Sequence, residues 1–389
     1  MQEQECLWLS MGERSTRVLV SRVSPMRDPR WNQLADHLVG ALKVTRGDTV
    51  SVFMTDVSAM PAVKAFVDAC YQRGATPEVV ASDESFDASA IAYASDEALE
   101  EPSALELSSM ERADVHVSFR GMAAPESEPD HRKAALLRKS KGLISTKRWE
   151  NTRWCLVRIP TEGWAAMIGA EYDTLVGEFF DGCFMDWTAM EQKQLQLCES
   201  LTSSQRVRVR SDDTDITFGV AGRTWISFAG GVNLPDGEIA TAPVDDSTEG
   251  FITFPDTIWF AGVKIAGLRL EFQEGRVSSL HADHGEEFVR HILATDEGAS
   301  RIGELGIGTN PNVSTYTGDL LLDEKILGTM HFALGRAYPE CGGVNRSAIH
   351  WDLVKDLRTP AGLLSVDSED LISGGKPTGL LAGFEALRA

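Results

Sequence analysis

The chain has 389 residues, of which 43% are hydrophobic and 24% charged, a composition typical of a globular protein with a sizeable core. Its formal net charge of -21 argues against sequence-independent binding to nucleic acid or to an anionic membrane surface, because both need a basic face. At this length we expect two or three domains.

The six cysteines are scattered along the chain, and no Cys-x-x-Cys pair occurs. In a chain of this size the pattern is typical of reduced thiols in a cytoplasm rather than of a disulfide framework or a thiolate zinc site. The sequence does not open on a basic stretch followed by an apolar run, and no apolar run reaches the length of a membrane span. We therefore predict a cytoplasmic protein that does not bind a membrane.

The first half of the sequence alternates helical and strand patterns. Leu34, Leu38 and Leu42 recur at helical spacing within a helix predicted over residues 30–44. The other predicted elements are strands over residues 49–54, 78–81, 113–119 and 153–160, and helices over residues 59–72 and about 171–200. Such alternation predicts an α/β domain with a parallel sheet, which we place at residues 1–201. Residues 1–25 show no clear period and are predicted to form a flexible or edge-packing arm.

We expect no chemistry from this N-terminal domain. Parallel α/β sheets often bind nucleotides, but no Gly-x-Gly-x-x-Gly or Gly-x-x-x-x-Gly-Lys-Ser/Thr phrase follows a predicted strand. His116 alternates with valines and is expected to face out of its strand, and His37 and His131 are expected to lie on the surface.

Beyond residues 202–205 the pattern changes to short strands broken by glycine and proline, with one helix at about residues 286–293. Closely spaced strands of this kind predict antiparallel pairing. The sequence thus predicts a second, α+β domain rich in antiparallel strands, at residues 202–389.

Most residues that could hold a metal ion in this second half lie in short phrases punctuated by glycine or proline. The phrases are Asn233-Leu-Pro-Asp-Gly-Glu238, Gly303-Glu-Leu-Gly-Ile-Gly-Thr-Asn-Pro311, His331-Phe-Ala-Leu-Gly-Arg-Ala-Tyr338 and His350-Trp-Asp352. Carboxylate and imidazole side chains bind catalytic divalent ions, which acidify water enough to give a nucleophile at neutral pH. Glycines beside such ligands let the backbone turn sharply. We predict that the phrases fold into one divalent-metal site and that the protein is a hydrolase.

Each candidate has an ordinary structural explanation when it is considered alone. An isolated glutamate such as Glu238 or Glu304 is more often exposed at the surface, and a histidine in an apolar run, like His331, more often belongs to the core. His350 and Asp352 are more specific, because residues two apart on a strand share a face and can reach one ion together.

A competing cluster lies at residues 281–287, where His281, Asp283 and His284 have ligand chemistry and close spacing. It ranks lower because the same residues suit a strand end and the acidic first turn of the helix that follows. Serine and cysteine nucleophiles have little support. No Gly-x-Ser-x-Gly phrase occurs, and Cys341 has no base adjacent in sequence and is interpreted as a small buried thiol.

Several longer phrases carry a family resemblance. They are Asn233-Leu-Pro-Asp-Gly-Glu-Ile-Ala-Thr-Ala-Pro243, Gly303-Glu-Leu-Gly-Ile-Gly-Thr-Asn-Pro311, Asp323-Glu-Lys325, Gly328-Thr-Met-His-Phe-Ala-Leu-Gly335 and Ser347-Ala-Ile-His-Trp-Asp352. In this order they closely resemble the thermophilic-type metalloaminopeptidases, the aminopeptidase T/S/II family, over most of the chain from about residue 28. The resemblance implies a two-domain metalloenzyme with one or two divalent transition-metal ions (Mn, Zn or Co). It also implies a homo-oligomer that acts on a peptide or small-molecule substrate.

The resemblance also implies roles for individual residues. By motif, the family's metal ligands correspond to Glu238, Glu304, His331, His350 and Asp352. Tyr338 corresponds to a family tyrosine that acts as a ligand or as a donor in the transition state, and Glu304 and Tyr338 are the implied catalytic residues.

Related branches of the family leave alternatives open. One branch, 5-nitroanthranilic acid aminohydrolase, replaces a ring amino group by hydroxyl at a metal centre. Another, the 2,5-dihydroxypyridine dioxygenases, uses iron and has a histidine where Glu304 stands here, so this branch is disfavoured. A binding protein that has lost its metal is disfavoured because all the ligands are present. Departures from the typical peptidases at residues 161–167 and after Phe119 leave a peptide or an aromatic amine as the substrate.

Overall fold

The computed structural model describes residues 28–122, 124–125 and 127–388. The arm predicted for residues 1–25 lies outside the described residues. Within them, none of the helices combines the length and the apolar character that crossing a bilayer requires.

The N-terminal half contains nine α-helices and four strands within the described residues. The helices are α1 (Arg30–Ala41), α2 (Met60–Arg73), α3 (Glu84–Tyr93), α4 (Asp96–Glu100), α5 (Ala104–Arg112), α6 (His131–Asn151), α7 (Glu162–Ile168), α8 (Tyr172–Cys183) and α9 (Trp187–Leu201). The strands are β1 (Thr49–Met54), β2 (Thr76–Ala81), β3 (Val115–Arg120) and β4 (Arg153–Arg158).

The C-terminal half consists mainly of strands. They are β5 (Arg206–Ser211), β6 (Thr214–Gly219), β7 (Ile226–Phe228), β8 (Asn233–Leu234), β9 (Glu238–Thr241), β10 (Glu249–Phe254), β11 (Ile258–Phe260), β12 (Val263–Ile265), β13 (Leu268–Gln273), β14 (Arg276–His281), β15 (Ile302–Gly308), β16 (Thr329–Gly335), β17 (His350–Asp356), β18 (Leu363–Val366), β19 (Glu369–Ser373) and β20 (Lys376–Pro377). The helices are α10 (Glu286–Leu293), α11 (Leu320–Asp323) and α12 (Gly379–Ala382).

The strands pair as the sequence predicts. One sheet has the order β2-β1-β3-β4-β8 and is parallel throughout. An eight-stranded sheet has the order β14-β13-β10-β6-β5-β18-β19-β20, and a five-stranded sheet has the order β17-β16-β15-β9-β7; the pairings in both are antiparallel. The predicted α/β half and the predicted antiparallel, α+β half are therefore confirmed.

An aromatic core lies between the five-stranded sheet and the eight-stranded sheet. Phe332 of β16 has no exposed surface, and its ring lies 5.7–6.3 Å from the rings of Phe218, Phe254 and Phe272 on the eight-stranded sheet. Side chains on one face of β16 pack in this core. Because side chains alternate along a strand, those on the other face point away from the core and can be polar.

The predicted boundary between residues 201 and 202 falls in the connection from α9 to β5 and stays a prediction. Two features cross it. β8 belongs to the C-terminal half in sequence but pairs with β4 of the parallel sheet. Met190 and Leu197 of α9 are also buried in the core of the antiparallel sheets.

Two helix predictions need correction. The single helix predicted at about residues 171–200 is two helices, because Asp186 accepts a hydrogen bond from the backbone N–H of Ala189 and starts a new helix there. Helices α3, α4, α5 and α6 were not predicted at all, and the longest of them is α6. It carries basic residues around much of its surface and lacks the continuous apolar stripe by which an amphipathic helix is found.

Histidine positions in this half also differ from the predictions. His116 is 2% exposed and does not face solvent, because both faces of the parallel sheet are covered. Its Nδ1 lies 3.3 Å from the hydroxyl of Ser51, and burial lowers its pKa well below the ordinary value. His37 and His131 are half-buried rather than on the open surface, and each makes a hydrogen bond.

Candidate metal centre

The five side chains that the sequence suggests as metal ligands meet at one place on the five-stranded sheet. They are Glu238 at the start of β9, Glu304 in β15, His331 in β16, and His350 and Asp352 in β17. Glu304 pairs with Ala333, and Ala333 pairs with Asp352. Directly paired residues face the same side of a sheet, so these two carboxylates share the face opposite the aromatic core.

A β-bulge at Gly303 sets the direction of Glu304. Ile302 pairs with Leu334, but Glu304 pairs with the adjacent Ala333, so Gly303 is an extra residue in β15. Bulges commonly re-aim a side chain beside a functional site. This one places the carboxylate of Glu304 between the two histidines.

The distances between the donor atoms are short. Nε2 of His331 lies 3.3 Å from Oε2 of Glu238 and 3.8 Å from Oε1 of Glu304. Nε2 of His350 lies 3.1 Å from Oε2 of Glu304 and 3.6 Å from Oδ1 of Asp352. The two oxygens of Glu304 thus face different histidines.

The geometry fits a divalent ion. Tetrahedral ligands at about 2.1 Å from one zinc ion lie about 3.4 Å from each other, close to these separations. Glu238, Glu304 and His331 form one group whose donor atoms lie within 4.8 Å of one another, and Glu304, His350 and Asp352 form a second. Oε2 of Glu238 is buried and has no hydrogen-bond partner in the part of the chain that the structure describes, as expected for an atom that ligates an ion.

Gly306 makes room for His331. The two residues pair directly across β15 and β16. A Cβ atom at position 306 would overlap the Cε1 and Nε2 atoms of the imidazole ring. Any side chain larger than hydrogen would therefore displace the ring from the other ligands.

A buried lysine orients the carboxylate of Glu238 by a hydrogen bond. Lys325 has no exposed surface, and its Nζ donates to Oε1 of Glu238 at 2.7 Å. The same Nζ lies 2.7 Å from Glu324 and 3.8 Å from Asp236. Since Lys325 binds one oxygen of Glu238, the other oxygen is left to face His331. Asp236 also accepts from the backbone N–H of Gly237, which shapes the turn before β9.

Lys325 and Glu324 were not among the predicted site residues. Glu324 is 3% exposed and forms a third group of possible ligands with His331 and Asp352. A signal for both was present in the sequence, because three consecutive charged residues, 323–325, stand between the apolar residues 320–322 and 326–327. Charges so closely flanked by apolar residues on both sides indicate a buried ionic cluster.

The ionisation of the site reflects its excess of carboxylates. Burial alone would raise the pKa of Glu304, but its interactions with His331 and His350 hold that pKa at about 2. Burial alone would lower the pKa of His331, but the negative charge of Glu238 and the contact with Glu304 raise it to about 9. The pKa of His350 is also raised against burial, by Asp352 and Glu304. His331 is therefore cationic at neutral pH in the absence of a metal ion, and the cationic form of His350 is favoured in the same direction.

Tyr338 lies beside the predicted ligands. Its ring centroid is 5.3 Å from that of His350 and 6.3 Å from that of Trp149. Burial raises the pKa of its phenol well above the ordinary value, so the hydroxyl keeps its proton at neutral pH. Nδ1 of His350 lies 2.9 Å from the carbonyl oxygen of Arg336, which fixes the ring with Nε2 toward Glu304.

The competing cluster and the cysteine behave as ordinary structural residues. His281 and Asp283 have side chains that are 67% and 78% exposed, and neither belongs to a candidate metal group within the described residues. Cys341 is fully buried, and burial raises its thiol pKa, as expected for an inert thiol.

Comparisons with known proteins agree with the fold. The sequence model of a family described as thermophilic metalloprotease (M29) matches residues 28–369. Aminopeptidase T of Thermus thermophilus is 28% identical in an alignment of 217 positions that covers 49% of this chain and 53% of that protein, so the chain spans about half the length of this curated relative.

Two solved structures share the fold. Wild-type AmpT from Thermus thermophilus has a TM-score of 0.74 at 22% identity, covering 90% of this chain and 99% of that one. 2,5-Dihydroxypyridine dioxygenase from Pseudomonas putida KT2440 has a TM-score of 0.56 at 15% identity, covering 92% and 98%. At these identities the likeness concerns the fold alone.

We predict that Gly306→Ala weakens metal binding by about tenfold or more, because the added methyl group displaces His331. Metal affinity is measured by titration with Zn²⁺ or Mn²⁺ against a competing chelator. Gly40→Ala is the matched control, since a Cβ atom there meets nothing within 4 Å. Equal affinities of the Gly306→Ala variant and the unmodified protein would contradict the role given to this glycine.

We also predict that metal binding releases at least one proton at pH 7. A histidine must be neutral to ligate, whereas the pKa of His331 in the absence of a metal ion is about 9. The affinity should therefore rise about tenfold per pH unit up to about pH 9 and then level off. Calorimetric titration in buffers of different ionisation enthalpy measures the released protons. An affinity that stays constant from pH 6 to pH 8 is incompatible with this prediction.

Proposed function

Because the chain belongs to the thermophilic metalloprotease (M29) family, we propose that it is a metal-dependent, aminopeptidase-like hydrolase that breaks a carbon–nitrogen bond. The observation that supports this most directly is the convergence of the ligands. Five side chains spread over residues 238–352 form two groups whose donor atoms lie within 4.8 Å, and Glu304 belongs to both groups.

The ligands that we propose are Glu238, Glu304, His331, His350 and Asp352. They would hold one or two divalent transition-metal ions, namely manganese, zinc or cobalt, and Glu304 belongs to both groups of possible ligands. When bound, such an ion polarises the scissile carbonyl group and makes water a stronger nucleophile. Glu324 is a further carboxylate within reach of His331 and Asp352, but Lys325 already occupies it.

The two residues proposed to act in catalysis differ in protonation. Glu304 has a pKa of about 2 and therefore stays ionised near neutral pH. We assign it to holding the metal ion and orienting the substrate, because a carboxylate with so low a pKa is a weak proton acceptor. Tyr338 stays protonated and can donate its hydroxyl hydrogen to the oxygen on which negative charge develops. His350 positions both groups, because it faces Glu304 and packs beside Tyr338.

We propose a cytoplasmic, reducing setting and a homo-oligomeric assembly, with a peptide or a small molecule as the substrate and without nucleic acid or membrane as a partner. The buried, unpaired thiols support the reducing setting. They are Cys70, Cys155, Cys183, Cys198 and Cys341. Light scattering after gel filtration determines the subunit number.

The test of function is an assay of metal-loaded protein on aminoacyl-nitroanilides, short peptides and nitro-substituted anilines. We expect release of the N-terminal residue of the substrate. We expect His350→Ala to abolish this activity, because His350 belongs to the same group of proposed ligands as Glu304. His281→Ala, in the exposed competing cluster, is the matched control and should retain activity. Release of ammonia from an arylamine without turnover of any peptide would make the protein an aromatic aminohydrolase. Oxygen consumption with dihydroxypyridines would make it a dioxygenase.

We predict that Tyr338→Phe lowers kcat by about 10²–10³-fold, the usual effect of removing one donor to a developing oxyanion, while bound metal stays unchanged. The measurements are steady-state kinetics and elemental analysis. Tyr316→Phe is the control, because it also removes a hydroxyl, one that donates to the carbonyl of Val354, and should leave kcat nearly unchanged. A Tyr338→Phe variant with full kcat would remove the tyrosine from the proposed mechanism.

A further inference from the structure

Helix α6 brings positive charge to the metal centre of a strongly acidic protein. It carries seven basic residues and one glutamate, in a chain of net charge -21. The basic residues are Arg132, Lys133, Arg138, Lys139, Lys141, Lys147 and Arg148. So many cations on one helix need counter-charges, and neighbouring residues provide them for some of these side chains but not for others.

The outward-facing charges of α6 are mostly accounted for by carboxylates. These pairs are Arg132 with Asp96, Lys139 with Glu100, Lys141 with Asp87 and Lys147 with Glu150. Lys133 donates to the carbonyl of Ala94. In contrast, within the described residues no carboxylate lies within ion-pair distance of Arg138 or of Arg148, which is 8% exposed.

These two arginines lie where α6 packs against the metal centre. A Cβ atom at Gly142 would overlap the carbonyl oxygen of Ala348, so the helix closely contacts the segment that leads into β17, two residues before the proposed ligand His350. Nη2 of Arg138 donates to the carbonyl of His350 at 3.4 Å. Trp149, the residue after Arg148, packs against Tyr338.

A third arginine joins them from the sheet. Arg336 follows β16, and its Nη1 donates to the hydroxyl of Thr146 on α6 at 2.8 Å. Its guanidinium carbon lies 5.8 Å from the centroid of Trp149. We call Arg138, Arg148 and Arg336 the arginine cluster.

Among the described residues no carboxylate forms an ion pair with the arginine cluster, although the charges of Asp352 and Asp87 act on Arg138 from farther away. The Nε atom of each of its three guanidinium groups is buried and has no hydrogen-bond partner among the described residues. Burial and the charge of Arg336 lower the pKa of Arg138 to about 10, and burial lowers the pKa of Arg148 well below its ordinary value. Buried cations with unsatisfied donors are costly unless an anion completes them.

The guanidinium groups of the arginine cluster suit a carboxylate as the anion that binds there. Guanidinium groups bind carboxylates through paired, planar hydrogen bonds. Tyr338 contacts both His350 and Trp149, so the cluster stands one side chain away from the ligands. In a dipeptide, the terminal carboxylate lies about one residue, or roughly 3.8 Å, beyond the scissile carbonyl. A chain of net charge -21 repels an anionic substrate at long range, so a local cluster is needed to accept one.

We propose that the arginine cluster binds the free C-terminal carboxylate of the substrate, so that the preferred substrates are dipeptides. The inference rests on the proposed hydrolase function and specifies its substrate class. It assigns recognition of the carboxylate to Arg148 and Arg336, with Arg138 adding charge beside β17.

The test compares L-leucyl-L-alanine with its C-terminal amide on the metal-loaded protein. We expect kcat/KM to be at least about tenfold higher for the free dipeptide. Arg148→Gln and, separately, Arg336→Gln should lower kcat/KM for the free dipeptide by about 10–100-fold and leave that for the amide within about twofold. The control is Arg301→Gln, a half-buried arginine that donates to the carbonyl of Asp245 and should keep the preference.

The outcomes separate the two levels of inference. Equal turnover of dipeptide and amide by the unmodified protein overturns the carboxylate site while the hydrolase stands, and this measurement needs no variant to fold. An equal loss on both substrates in the variants also overturns it. Variants that change subunit number but keep the preference would assign the cluster to a carboxylate of a second copy and overturn the proposal. Turnover of no peptide or nitroanilide at all would refute the hydrolase itself.

Discussion

The antiparallel register of β15, β16 and β17 is the constraint on which the site depends. Side chains alternate between the two faces of a strand, so a shift of one residue would exchange the faces completely. Phe332 would then leave the aromatic core, and its neighbours His331 and Ala333 would enter it. The burial of aromatic rings on one face therefore determines where the imidazoles and carboxylates lie on the other. The stability of the core and the geometry of the ligands have a single structural origin.

Charge balance is the second requirement, because so many carboxylates are buried together. Lys325 neutralises part of this charge from within the fold and holds one oxygen of Glu238. Removing one partner of a buried ion pair typically costs about 3–5 kcal/mol, since the other charge is left uncompensated. The negative charge that Lys325 does not balance would favour binding of a cation at the candidate site. The arginine cluster lies beside this acidic centre, where Arg138 donates to the carbonyl of His350 and Arg336 lies near the ring of Trp149, which contacts Tyr338.

Much of the candidate site could be predicted from the sequence, because the positions of some residues determine which way their side chains face. The spacing of His350 and Asp352 on a strand requires that they share a face, and the glycines around Glu304 exclude a helix there. Other features depend on contacts distant in sequence. The burial of His116 follows from helices that cover both faces of its sheet, and α6 is stabilised by ion pairs and by packing rather than by an apolar stripe of its own. That Arg148 has no carboxylate at ion-pair distance within the described residues depends on how α6 packs against the rest of the fold, which the sequence does not reveal.

The pairing of β8 with β4 has a mechanical consequence. Only three residues separate β8 from Glu238, and within that short segment the carboxylate of Asp236 accepts a hydrogen bond from the backbone N–H of Gly230. Glu238 is thus joined to the parallel sheet through β8, while its own strand, β9, pairs with β15 in the antiparallel sheet that carries the other four proposed ligands. An ion bound by the proposed ligands would therefore be connected to both sheets, so a displacement of one half of the molecule relative to the other would change its coordination.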